Sequence, residues 1–147
     1  MSYIAFDIGD KRIGIAVSDP FMQMALPYET YFRKNFKKDV EYLCNLASSR
    51  NATTIVCGLP VNFDGSESEQ TAKTLSFIEE LKKNTNIPIV TEDERFTTLE
   101  ARRVLLEADV RRADRKTVID KIAASYILEG YMNKIKNSGN KLWVMKN

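Results

Sequence analysis

Residues 3–19 read Tyr3-Ile4-Ala5-Phe6-Asp7-Ile8-Gly9-Asp10-Lys11-Arg12-Ile13-Gly14-Ile15-Ala16-Val17-Ser18-Asp19. Two short apolar runs rich in β-branched residues, 3–8 and 13–19, flank Gly9-Asp10-Lys11-Arg12. That pattern predicts a strand, a tight turn and a returning strand. Asp7 interrupts the first run. Side chains alternate along a strand, so Asp7 shares a face with Tyr3 and Ala5, where a carboxylate is costly unless it meets a cation or hydrogen-bond donors. Two readings stand at this point. Asp7 is either a strand-end aspartate bonding to the Gly9 turn, or part of a metal or phosphate site at the carboxyl end of a central strand, where α/β sheets commonly bind ligands.

Working outward, Leu26–Phe32 predicts a third strand, which Pro27 confines to an edge or an end. Val40, Leu43, Leu46 and Ala47 lie at helical spacing within Lys38–Arg50, and Thr53–Cys57 returns to strand character before Gly58-Leu59-Pro60 stops it. Asn62-Phe63-Asp64-Gly65 is a loop. Ser66-x-x-Glu69 is a capping pattern for a helix with Ala72, Leu75, Ile78 and Leu81 inward, ending near Asn84, and Ile87–Val90 is a strand. Thr97-x-x-Glu100 opens another helix with Ala101, Val104, Leu105 and Ala108 inward. A polar, arginine-rich stretch, Asp109–Lys116, reads as a loop before a long helix over about 117–136, with Ile119, Ile122, Ala123, Ile127 and Tyr131 on one stripe. The order predicts an α/β fold with a five-stranded mixed sheet covered by helices on both faces. A single domain is expected over 1–137, followed by a tail over 138–147 with Trp143 as an anchor.

At 147 residues the chain has the size of one domain with a real core. Its 44% hydrophobic and 29% charged residues are those of an ordinary globular protein. No window holds the ~18 apolar residues of a membrane helix, and the start reads as a strand rather than a signal peptide, so a cytoplasmic protein is expected. The chain has no histidine. Ser-His-Asp and Cys-His hydrolysis, histidine general bases and zinc sites with imidazole ligands are thereby excluded. Cys44 and Cys57 fall in apolar stretches and read as buried reduced thiols. Net charge is +2 but uneven: residues 1–94 carry 10 basic against 14 acidic side chains, and 95–147 carry 12 against 6. That asymmetry suits a cation site beside a surface for polyanions.

A second acidic group, Glu92-Asp93-Glu94, follows the strand 87–90 and is either a solvated loop or a set of carboxylates relieved by a divalent cation. Asp120, at about 100° per residue, sits at the border of the buried stripe of the last helix. One carboxylate on a central strand, one after another strand and one on the last helix make a set able to hold two divalent ions. Such a pair activates water and stabilises the leaving oxygen in phosphodiester hydrolysis without histidine.

The blocks Ile4-Ala-Phe-Asp7-Ile-Gly9-Asp-Lys-Arg12-Ile-Gly14-Ile-Ala-Val-Ser18-Asp19, Gly58-Leu-Pro60-x-x-x-Asp64-Gly65-Ser66, Asp93-Glu94-Arg95-x-Thr97-Thr98-x-Glu100-Ala101 and Ile119-Asp120-x-x-Ala123-Ala124-x-x-Ile127-Leu128 resemble the four signature blocks of the bacterial YqgF/RuvX family. They occur in family order across nearly the whole chain. The resemblance implies an RNase H-like fold and a bacterial cytoplasmic nuclease, either maturing the 5′ end of pre-16S ribosomal RNA, the favoured reading, or resolving Holliday junctions. It also implies that Asp7 and Asp120 are catalytic metal ligands for Mg²⁺ or Mn²⁺. Asp93 and Glu94 both match the middle acid; Glu94 is placed first, and Glu92 is assigned no role.

Arg95, Arg111, Arg112 and Arg115 lie near the expected site, and with Arg12 they are the candidate nucleic-acid contacts, since guanidinium groups offer paired donors to phosphate. The expected partner is pre-rRNA or, alternatively, branched DNA, with a homodimer as an open option and no membrane. Two rivals remain: an actin/Hsp70-like nucleotide phosphohydrolase, for which Asp7-x-Gly9 also suits a phosphate loop, and a non-catalytic nucleic-acid-binding module.

Overall fold

Alternation along the first strand sorts the core into two layers. The computed structural model describes residues 2–62, 64–94 and 115–146, with side chains for all of these except 115–117 and 139–146. Its strands are β1 (Ser2–Ile8), β2 (Arg12–Ser18), β3 (Ala25–Phe32), β4 (Ala52–Leu59) and β5 (Ile89–Asp93); its helices are α1 (Phe36–Ser49), α2 (Glu69–Asn84) and α3 (Arg115–Lys146). The large residues Ile4, Phe6 and Ile8 of β1, with Ile13, Ile15 and Val17 of β2, meet Val40 and Leu43 of α1 and Phe77, Ile78 and Leu81 of α2. Each such side chain, fully buried, contributes roughly 1.5–3 kcal/mol. The opposite face carries small residues, Ala5 and Ala16 with Val56, packed against Ala124, Ile127 and Leu128 of α3.

The sheet order is β3-β2-β1-β4-β5. β1 pairs antiparallel with β2 and parallel with β4; β2–β3 is antiparallel and β4–β5 parallel. This is the mixed five-stranded sheet with helices on both faces that the element order predicts. β1 is central and β3 lies at an edge, where Pro27 was expected; the β2–β3 register shifts beside it, between Ile15 and Ala16. The turn after β1 closes through the Gly9 N–H, which donates to the Arg12 carbonyl at 3.0 Å.

Several boundaries and faces differ from the sequence reading. α1 starts at Phe36, ahead of Lys38, because Asn35 caps it by accepting from the Lys38 N–H at 2.9 Å. Ser68, not Ser66, caps α2: its side chain accepts from the Thr71 N–H at 3.2 Å while Thr71 Oγ1 accepts from the Ser68 N–H at 2.9 Å. Ser66 is occupied elsewhere, donating its N–H to Asp64 at 2.9 Å. The cap rotates α2, and Thr71 Oγ1 also donates to the Pro60 carbonyl. Thr71, Thr74, Phe77, Ile78 and Leu81 therefore face the core, whereas Ala72 is exposed and Leu75 half-buried. α3 covers Arg115 and Lys116, expected in a loop, and continues to Lys146 through the expected tail. The helix expected after Thr97 and the rest of the arginine-rich stretch lie outside the described residues.

Both cysteines are free and buried. Burial pushes the Cys57 thiol up to about 12, so it stays protonated and unreactive at neutral pH.

Candidate active site

Asp7 is the penultimate residue of β1, and its cross-strand partner on β2 is Gly14. The opposite neighbour, β4, presents Gly58 just after Cys57, the partner of Phe6. Glycine is required on the β2 side, where the neighbour is backbone, while on the β4 side it leaves room for two side-chain ends. A Cβ on Gly14 would stand 1.9 Å from the backbone carbonyl oxygen of Asp120, and one on Gly58 would stand 2.5 Å from Ile127 Cδ1 and 2.7 Å from Glu94 Oε1. Close packing of α3 on the small-residue face thus carries Asp120 over the end of the sheet, while the end of β5 brings Glu94 in from the other side.

The result is a cleft of about 310 Å³ lined by Asp7, Ile8, Gly9, Asp10, Arg12, Pro60, Gln70, Glu94 and Asp120. Three of the acids singled out in the sequence, from three separate parts of the chain, meet there. Arg12 Nε donates to Asp120 Oδ2 at 2.7 Å, joining the start of β2 to the first turns of α3. The two side chains are 24% and 22% exposed, so this charge-assisted bond is partly sheltered from water. Among the described residues, no three Asp, Glu, Cys or His side chains are grouped closely enough to hold a metal ion as they stand.

Asp93 pairs with Leu59 in the sheet and does not line the cleft. Glu92, assigned no role from sequence, is buried and accepts from Lys134 Nζ at 2.9 Å, tying β5 to α3. Arg95, Arg111 and Arg112 lie outside the described residues, and Arg115 is the first residue of α3. Two lining residues escaped the sequence reading. Asp10 was absorbed into the turn, and Gln70, in the first turn of α2, carries no local signal that distinguishes it from a solvated side chain.

The sheet order, with β1 central and helices on both faces, is that of an RNase H-like α/β fold. The fold is similar to T. thermophilus RuvC in complex with a Holliday junction substrate, with a TM-score of 0.58 at 9% identity over 91% of this chain and 96% of that one. It is also similar to the Fowlpox virus resolvase in complex with Holliday junction DNA, with a TM-score of 0.54 at 12% identity over 92% and 99% of the two chains. A family profile, RuvX, described as Holliday junction resolvase, matches residues 1–134, and the chain belongs to this family. Relatives named "Putative pre-16S rRNA nuclease" are 46% identical over 135 residues in Clostridium acetobutylicum, covering 92% of this chain and all of the relative, and 44% identical over 133 residues in Halothermothrix orenii, covering 90% and 95%. Among the described residues, no helix is long and apolar enough to cross a membrane.

Proposed function

We propose that the chain is a divalent-cation-dependent cytoplasmic nuclease that hydrolyses phosphodiester bonds and trims the 5′ end of pre-16S rRNA. The observation that carries this reading is the meeting of Asp7, Glu94 and Asp120 in one cleft with the guanidinium of Arg12. Carboxylate oxygens are hard donors that suit Mg²⁺ or Mn²⁺, so the donor chemistry fits. Asp7, Glu94 and Asp120 would hold the ion. Bound there, it supplies Lewis-acid activation of water and neutralises charge on the leaving oxygen.

Asp120 is shared in this scheme. Its carboxylate accepts from Arg12 Nε and would be free to help hold the cation were Arg12 to take a phosphate oxygen instead. Arg12 therefore orients the acid first and the substrate second. Arg95, Arg111, Arg112 and Arg115 supply backbone contacts along the strand, and Asp93 stays outside the cleft as a reserve acid. The names of the curated relatives support rRNA as substrate. The family description supports branched DNA as a second reading, in which a homodimer would present two clefts to a symmetric junction.

Incubation of the protein with a pre-16S rRNA fragment and with a four-way DNA junction, with and without Mg²⁺ or Mn²⁺, separates these readings. Cation-dependent trimming of the RNA, lost in Asp7→Asn, is expected. Cleavage of the junction alone would replace rRNA with branched DNA, and no cleavage of either with any cation would leave a binding module.

A further inference from the structure

A second cavity, of about 430 Å³, lies beside the cleft on the α1–α2 side of the sheet. The two share Ile8, Asp10 and Gln70 in their linings, so a strand leaving the first passes directly into the second. Phe36 forms part of its wall. The ring stands edge-on to the buried Phe77, with centroids 5.4 Å apart and planes at 74°, yet Phe36 itself is 44% exposed.

Phe36 lies within Arg33-Lys34-Asn35-Phe36-Lys37-Lys38, four cations in six residues. Arg33 is locked in place: its Nε donates to Asp39 at 2.9 Å, its Nη1 donates to the Gly9 carbonyl at 2.9 Å, and its guanidinium lies over the Phe77 ring. Lys34, Lys37 and Lys38 are exposed. Asp39, the first acid after them, is buried and turned inward to Tyr31, Arg33 and the Lys34 N–H, so it does not offset their charge at the surface. Across the cavity Lys73 keeps only loose, exposed contacts, at 3.7 Å to Asp10 and 3.8 Å to Glu69. Exposed pairs of this kind hold a lysine weakly and leave it able to turn.

An exposed aromatic ring flanked by exposed lysines matches the two chemistries of an unpaired nucleotide, whose base stacks and whose phosphates take cations. We propose that this cavity is a subsite for single-stranded nucleic acid, in which one unpaired base stacks on Phe36 while Lys34, Lys37, Lys38 and Lys73 neutralise the flanking phosphates. The proposal rests on the nuclease reading and extends it: the substrate is unpaired where it leaves the cleft past Asp10 and Gln70. A duplex has no free base face to offer the ring.

The test is fluorescence anisotropy in EDTA with a labelled oligoribonucleotide of about 12 nucleotides and with a blunt duplex of the same sequence. Phe36→Ala should weaken single-strand binding by about 5- to 150-fold, the range for loss of one stacked base, and leave duplex binding unchanged. Phe36→Trp should restore the affinity. Phe36→Leu keeps an apolar contact to Phe77 without stacking, so it should bind as poorly as Phe36→Ala at a near-native melting temperature. Replacing Lys34, Lys37 and Lys38 with Ala should flatten the salt dependence by about 0.7 logarithmic units per lost contact. Equal single-strand affinity of wild type and Phe36→Ala would overturn the subsite alone. Absence of oligoribonucleotide binding by wild type would also overturn the subsite, whereas the nuclease reading falls separately, on the absence of cation-dependent cleavage of either substrate.

Discussion

Gly14 sits directly under the backbone carbonyl of Asp120, so close that a Cβ on Gly14 would lie 1.9 Å from the oxygen. The same glycine is the cross-strand partner of Asp7. One residue thus sets the separation of the strand acid from the helix acid. Gly14→Ala should push α3 away from β2, costing about 1–3 kcal/mol in denaturant unfolding as overpacked sites do. Cleavage should fall further than that stability loss explains. A variant with wild-type stability and activity would show that the helix can shift freely at this contact.

Asp7→Asn should abolish cleavage while the protein stays folded, since it thins a cluster of carboxylates rather than opening the core. The melting-temperature rise induced by Mg²⁺ or Mn²⁺ in the wild type should disappear with it. An unfolded Asp7→Asn protein would mark Asp7 as a structural residue of the Gly9 turn.

The Arg12–Asp120 pair, about a quarter exposed on each side, should show a coupling of about 1 kcal/mol in a double-mutant cycle read by unfolding. Arg12→Ala should tighten cation binding in calorimetry, because Arg12 no longer competes for the Asp120 carboxylate, while lowering the cleavage rate. Weaker cation binding in Arg12→Ala would contradict the sharing of Asp120.

Asp39 predicts the acid limb of stability. Burial raises its pKa, but the Lys34 N–H, Arg33 and the Tyr31 hydroxyl together outweigh burial and hold the carboxyl below its usual value. A pKa lower in the folded than in the unfolded state adds stability above the unfolded value of about 3.9, and that stability is lost as pH falls through the folded value. Unfolding free energy should therefore fall below about pH 4, and Asp39→Asn should flatten this limb while costing about 3 kcal/mol at neutral pH through the unpaired Arg33.

If Arg111, Arg112 and Arg115 contact the backbone, their joint replacement by Ala should weaken binding of all sequences. The salt dependence should flatten by about one logarithmic slope unit per lost contact, with little change in cleavage at saturating substrate. Unchanged affinity and slope would mark them as solvated surface.

The strand–turn–strand at 3–19, the edge position of the Pro27 strand, the mixed sheet and the family were legible in the sequence, because strand alternation and turn chemistry are local and the signature blocks are contiguous. So was the list of candidate acids. The face that α2 turns inward was not legible: a capping box between Ser68 and Thr71 buries two threonines in place of Ala72 and Leu75, and hydrophobicity alone does not anticipate this. The family resemblance alone placed Glu94 ahead of Asp93, which differ by one residue and so by a face; the β4–β5 register and the close approach at Gly58 are what put Glu94 in the cleft lining. The residue types of the site, its lack of histidine and its strand and helix addresses were determined by the sequence itself. Tertiary structure alone decided that Asp120 meets Arg12 across 108 positions of chain and that Phe36 stands beside the cleft, because such contacts depend on how closely helices pack on a sheet face, a distance set jointly by glycines and side-chain volumes far apart in sequence.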